Sequence, residues 1–191
     1  GVPRLDAPKA RDWLTDDSRA GEYFASVAEG HKRLAEYGWL QLQKGVASMP
    51  RYSVVYLPAH LGAVPGREDD LRKLLLDFEW VQAKLNATDI TALLRDYELV
   101  GGGAQPATPA AVSDPPALMR GALRLSAHVL AARKSQLAPQ LNGRLPIHSD
   151  DGEIKLMLDS ASNAETRPWL RPVLANLNGP GGALVSAMVG H

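Results

Sequence analysis

The chain has 191 residues, enough for one domain or one and a half with a sizeable core. Lys plus Arg and Asp plus Glu both number 21, so the formal net charge is zero and no global field draws nucleic acid or an anionic membrane. There is no cysteine, which excludes disulfides and thiolate metal sites, and no apolar run reaches the roughly 20 residues of a membrane span. The opening residues lack the apolar stretch of a signal peptide, and these features together point to a cytoplasmic protein. The chain lacks an initiator Met and stops at Val189-Gly190-His191 straight after an apolar run, which reads as a piece of a larger protein.

Residues 1–17, with Pro3 and Pro8 among mixed charges, read as an extended lead-in anchored by Trp13 and Leu14 alone. The helical domain is placed at 18–165. Its first helix is expected from Asp17 or Ser18 to Tyr37, with Tyr23, Val27, His31 and Leu34 on one face and Gly38 as its stop. Trp39 to Leu42 is apolar and ambiguous by pattern. Residues 51–64 are rich in β-branched and aromatic side chains and could pass for a strand, but Pro58 argues against a central one. A helix from near Met49 and Pro50 is favoured, with Tyr52, Val55, Tyr56, Ala59, His60 and Ala63 along one side and Pro58 kinking or restarting it.

Residues 71–100 organise the rest of the chain. Leu71, Leu74, Leu75, Phe78, Val81 and Leu85 fall at the spacing of one amphipathic stripe, and a second stripe follows at Ile90, Leu93, Leu94 and Tyr97. Between them Asn86-Ala87-Thr88-Asp89 supplies N-cap residues, so two helices are expected to meet there at a tight corner. Glu68, Asp69 and Asp70 suit a first helical turn.

Residues 101–116 are Gly, Pro, Ala and small polar residues and read as a flexible linker. Ser113 or Asp114 then caps a helix running to about Arg133, with Pro115 and Pro116 in its opening turn and a stripe broad enough to pack on more than one side. Shorter helices are expected at 135–145, despite Pro139, and at 151–163 with Ile154, Leu156, Met157 and Leu158, capped by Asp150 or Asp151. From 166 the spacing of Pro168, Pro172 and Pro180 forbids a long helix, so the chain should run extended across the helical layer, pinned by Trp169, Leu170, Val173 and Leu174. Gly179-Pro180-Gly181-Gly182 makes a turn, and residues 183–189 read as a β-strand, which cannot stand alone. The expected fold is therefore all-α: a helical array whose extended C-terminal segment ends in a single β-strand.

A search for chemistry assigns no catalytic, cofactor-binding or metal-ligating residue, and no cofactor is expected. There is no G-x4-G-K-[ST] phosphate loop, and neither Gly101-Gly102-Gly103 nor the cluster at 179–182 leads into a Lys and a helix. His31, His60, His128, His148 and His191 are scattered without metal-ligand spacing. Neither Ser126 nor Ser186 stands in a G-x-S-x-G elbow. Trp39, Tyr52, Tyr56, Phe78, Trp80 and Trp169 could line a pocket but read more simply as core. Basic residues interleave with acids throughout, which gives no nucleic-acid face.

Four blocks occur in one order: Tyr56-Leu57-Pro58-Ala59-His60-Leu61, the stretch from Leu76 to Leu85, the stretch from Gly121 to Leu130, and Arg167-Pro168-Trp169-Leu170-Arg171-Pro172 followed by Gly179 to Gly182 and Gly190-His191. This series, over 51–191, resembles the helical domain of apoptotic protease-activating factor-like proteins, often bacterial, which lies between an NB-ARC or related STAND-class NTPase module and a WD-repeat β-propeller. Gly190-His191 resembles the dipeptide that opens a WD repeat, although no Trp-Asp partner is present, and residues 1–48 match poorly. The linker is richer in Ala and Pro than the family pattern, and residues 145–151 have no counterpart in it.

The resemblance implies a non-catalytic arm that passes movement between the NTPase switch and the propeller, its partners in the same polypeptide. It also implies that the final strand closes the propeller ring. Nucleic acid and membrane are not expected partners. The alternatives are a free-standing helical-repeat module for binding peptides or proteins, which no repeat of about 34 residues supports, and a small enzyme, which the motif search disfavours.

Overall fold

The computed structural model describes residues 12–100, 114–146, 150–164 and 175–180, and every regular element among them is helical. The helices are α1 (Asp17–Ala20), α2 (Val27–Gln43), α3 (Arg51–Gly62), α4 (Glu68–Leu75), α5 (Phe78–Ala87), α6 (Ile90–Glu98), α7 (Pro115–Ala132), α8 (Leu137–Arg144) and α9 (Gly152–Ala164). Single 3-10 turns at Gly21–Tyr23, Val46–Ser48 and Lys134–Gln136 join some of them. The strand expected at 183–189 and the anchors Trp169, Leu170, Val173 and Leu174 lie outside the described residues, as do residues 1–11 and 101–113.

The centre of the packing is α5. It touches α3, α4, α6 and α9 and two of the 3-10 turns, and its Trp80, Val81 and Leu85 are completely buried. Around it the order is near linear: α2 lies on α3, α3 on α4 and α5, α6 on α7, and α7 and α9 both on α8. One continuous apolar cluster runs through this array, from Ala35 of α2 to Ala161 of α9. The broad face of α7 does pack on two sides, against α6 and against α8 with the preceding turn.

Four sequence expectations change. The first helix is broken: Gly21 adopts a left-handed φ of 52° and ends α1, and Ser26 opens α2 by accepting from the Glu29 N–H at 3.2 Å. Gly38 does not stop α2 but lies buried in its middle, where a Cβ would come within 2.7 Å of Leu57 Cδ1. Its missing side chain lets α3 approach, and the helix ends only at Lys44, before Gly45 at φ 107°. The face of Tyr23, Val27, His31 and Leu34 is also mostly exposed, because Ala35 and Gly38 are the buried residues of α2.

The stripe at 71–85 is two helices and not one. Asp77 accepts from the Trp80 N–H at 3.0 Å and starts α5 afresh, so the organising stretch holds three helices. The corner at 86–89 is as expected, with Asp89 accepting from the Ala92 N–H at 2.9 Å. On α3 the buried side is Ser53, Val54, Leu57, Pro58 and Leu61, with His60 at its border; Tyr52 and Tyr56, expected on the packed face, are each 50% exposed. On α9 Leu156 is 72% exposed while Ile154, Met157 and Leu158 are core. Pro139 falls in the first turn of α8, where its missing N–H costs nothing.

Candidate functional site

The flank formed by α2 and α3 carries the polar and aromatic residues that the core does not use. Residues near the start of α2 meet residues near the end of α3, so the two helices run antiparallel, with Gly38 against Leu57 and His31 against His60. A chain of contacts follows their seam. The Tyr52 hydroxyl lies 3.0 Å from His60 Nε2, and His60 Nδ1 lies 3.0 Å from His31 Nδ1. Tyr56 rests on Tyr52 at a ring separation of 4.9 Å. Burial, and then the neighbouring His31, hold the His60 ring below the usual histidine range, so it is neutral at pH 7. A neutral pair of imidazoles shares one proton between its facing nitrogens, and no nucleophile completes a catalytic set beside it.

Exposed apolar side chains surround this seam. Val27, Leu34, Tyr37 and Leu40 of α2 and Tyr52 and Tyr56 of α3 are all among the large exposed hydrophobic residues. The α2 helix packs chiefly on α3 and the turn at Val46–Ser48, so much of its surface has no neighbour among the described residues. Exposed aromatics grouped in this way mark a docking surface more often than scattered ones do.

A second polar group lies inside the core. Lys84 of α5 is buried, with its ammonium 2.7 Å from the Asp96 carboxylate of α6 and donating to the Val55 carbonyl of α3. Burial lifts the Asp96 carboxyl to about 6, against the pull of the Lys84 hydrogen bond and charge. The group ties three helices together. Pro58 removes the N–H that would otherwise bond to the Val54 carbonyl, and the cation bonds one residue further on. A lysine inside the stripe of Trp80, Val81 and Leu85 was the available sequence signal for this buried pair, and it was missed.

At the far end, residues 175–180 lie without helix across α7 and α8. The Gly143 carbonyl accepts from the N–H groups of both Asn176 and Leu177, at 3.1 and 3.0 Å. Arg144, itself buried, donates to the Asn178 carbonyl at 2.7 Å, the Leu125 carbonyl at 3.3 Å, Ser126 Oγ at 2.9 Å and Gln140 Oε1 at 3.3 Å. Gly121 and Gly143 make room: a Cβ on the first would come within 2.6 Å of Pro180, and on the second within 2.7 Å of Leu177.

The residues weighed from the sequence distribute as follows. His31 and His60 come together, His128 is exposed, and His148 and His191 lie outside the described residues. Ser126 is a buried acceptor for Arg144, and Ser186 lies outside. Glu68, Asp69 and Asp70 open α4, with Asp70 paired to Arg67 at 2.7 Å. Phe78 and Trp80 are core, Trp39 is partly buried against it, and Trp169 lies outside. Among the described residues no group of three or more His, Asp or Glu converges, and no helix is long and apolar enough to cross a membrane. No protein-family model, curated protein or solved structure matches the chain.

Proposed function

We propose that the chain is a non-catalytic helical arm that links a nucleotide-binding switch module to a WD-repeat sensor propeller in a STAND-type signalling protein. In this reading it passes conformational change between them and binds protein partners in the cytoplasm. One observation carries the proposal: a continuous packed core joins two different attachment surfaces. At one end is the exposed aromatic flank of α2 and α3. At the other is the segment 175–180, held by Gly143 and Arg144 and leading toward the C-terminus. A displacement applied at either surface is carried through close-packed side chains, which resist compression. The switch module belongs at the α2–α3 end, because the chain that precedes these helices enters there.

The reading is tested first on the gene. It expects a phosphate-binding loop encoded upstream and Trp-Asp repeats downstream, and a stop codon straight after His191 would overturn it. Titration of this chain with ATP or ADP should release no heat, whereas saturable binding would favour an enzyme. In the longer protein, the paired change Tyr52→Ser and Tyr56→Ser should weaken docking of the switch module roughly tenfold, as loss of exposed aromatic anchors does. The thermal midpoint of the arm should stay where it was, since both rings are half exposed.

A further inference from the structure

We propose that His31 and His60 form a binding site for a late first-row divalent metal ion (zinc, nickel or copper(II)) that clamps α2 onto α3. The two Nδ1 atoms stand 3.0 Å apart on rings whose centroids are 5.0 Å apart and whose planes are inclined by 59°. Two imidazole nitrogens held at about 2.0 to 2.1 Å by one ion lie about 2.9 Å apart at a right angle and about 3.4 Å apart at the tetrahedral angle. The pair already has a separation that one shared ion would impose.

Without a metal, a single proton bridges the two nitrogens. An ion needs both Nδ1 lone pairs, so His60 must then carry its proton on Nε2. The Tyr52 hydroxyl, 3.0 Å from Nε2, is placed to accept it. An outer partner of this kind fixes the tautomer and the ring orientation of a ligating histidine. The depressed basicity of His60 keeps its ring in the neutral form that binds metal.

His60 is held at the border of the core while His31 is half-buried, so an ion can enter from the solvent side. No third His, Asp or Glu joins the pair among the described residues, and water completes the shell. Imidazole nitrogen selects zinc, nickel or copper over the hard cations, which need oxygen ligands. The clamp lies where packing is thin, because α2 buries only Ala35 and Gly38.

The test is thermal unfolding of the full 191-residue chain in excess zinc, nickel or copper(II) chloride, each alone, with magnesium chloride as the control. At least one of the three ions should raise the midpoint by about 3 °C or more, reversibly with chelator, and magnesium should not. His31→Gln, which leaves the Tyr52 contact to His60 in place, should abolish the rise. Paramagnetic nickel or copper(II) added to the unaltered chain should broaden the ring signals of His31 and His60 before those of His128. No shift with any of the three ions, an equal shift in His31→Gln, or broadening that begins at another histidine would overturn the proposal.

Discussion

Trp80 has no exposed surface and stands on the helix that the other elements surround. Trp80→Ala should therefore lower stability by about 3–5 kcal/mol in denaturant titrations, the loss expected when a buried aromatic leaves a cavity. A loss under about 1 kcal/mol would remove α5 from the centre of the core. Lys84 and Asp96 raise a different question, because each neutralises the other where water is absent. Removing one partner strands a buried charge at about 3–5 kcal/mol, whereas replacing both with apolar groups can be nearly neutral. Lys84→Met and Asp96→Leu should each destabilise by that order, and the double variant by clearly less than their sum.

The same residues shape the pH dependence. With its folded basicity depressed, His60 contributes stability that is present above the unfolded value of about 6.5 and is lost as pH falls through the lower folded value. Asp96, raised to about 6, acts in the opposite sense. Its contribution is present below the unfolded value of about 3.9 and lost as pH rises through the folded one. The stability gap between the wild-type chain and His60→Gln should narrow as pH falls from about 7 to about 5. Denaturant midpoints at the two pH values measure it, and a constant gap would mean that His60 does not titrate with folding.

Among the elements, periodicity located the helices better than it located their breaks or their buried sides. The stripe through Leu71, Leu75, Phe78, Val81 and Leu85 stays in phase across Asp77, so spacing alone could not reveal the new N-terminus there. The carboxylate hydrogen bond to the Trp80 N–H is what shows it. Gly38 misled for the opposite reason, since a glycine can end a helix or let another one approach, and only the position of Leu57 distinguishes the two. The glycines of α7 and α8 are of the second kind. Gly143→Val should push residues 175–180 away from α8 and speed hydrogen exchange at the Asn176 and Leu177 amides, which donate to the Gly143 carbonyl. The core amides of α5 should keep their protection, and unchanged exchange at Asn176 and Leu177 would show that the segment is held by other contacts.

The array as assembled is a row of helices with one core, an aromatic flank at the beginning and a clasped segment at the end. Its all-α character, the three-and-four spacing of its core residues and the caps at Asp89 and Asp151 could be read from the chain, because they depend on neighbours a few positions apart. The meeting of His31 with His60 across 29 residues, and of Lys84 with Asp96 across two helices, could not. Which side of α2 and α3 faces inward could not be read either, since both sides carry apolar residues. Those features depend on where separate helices come to rest, and that is settled by packing and by the burial of charge.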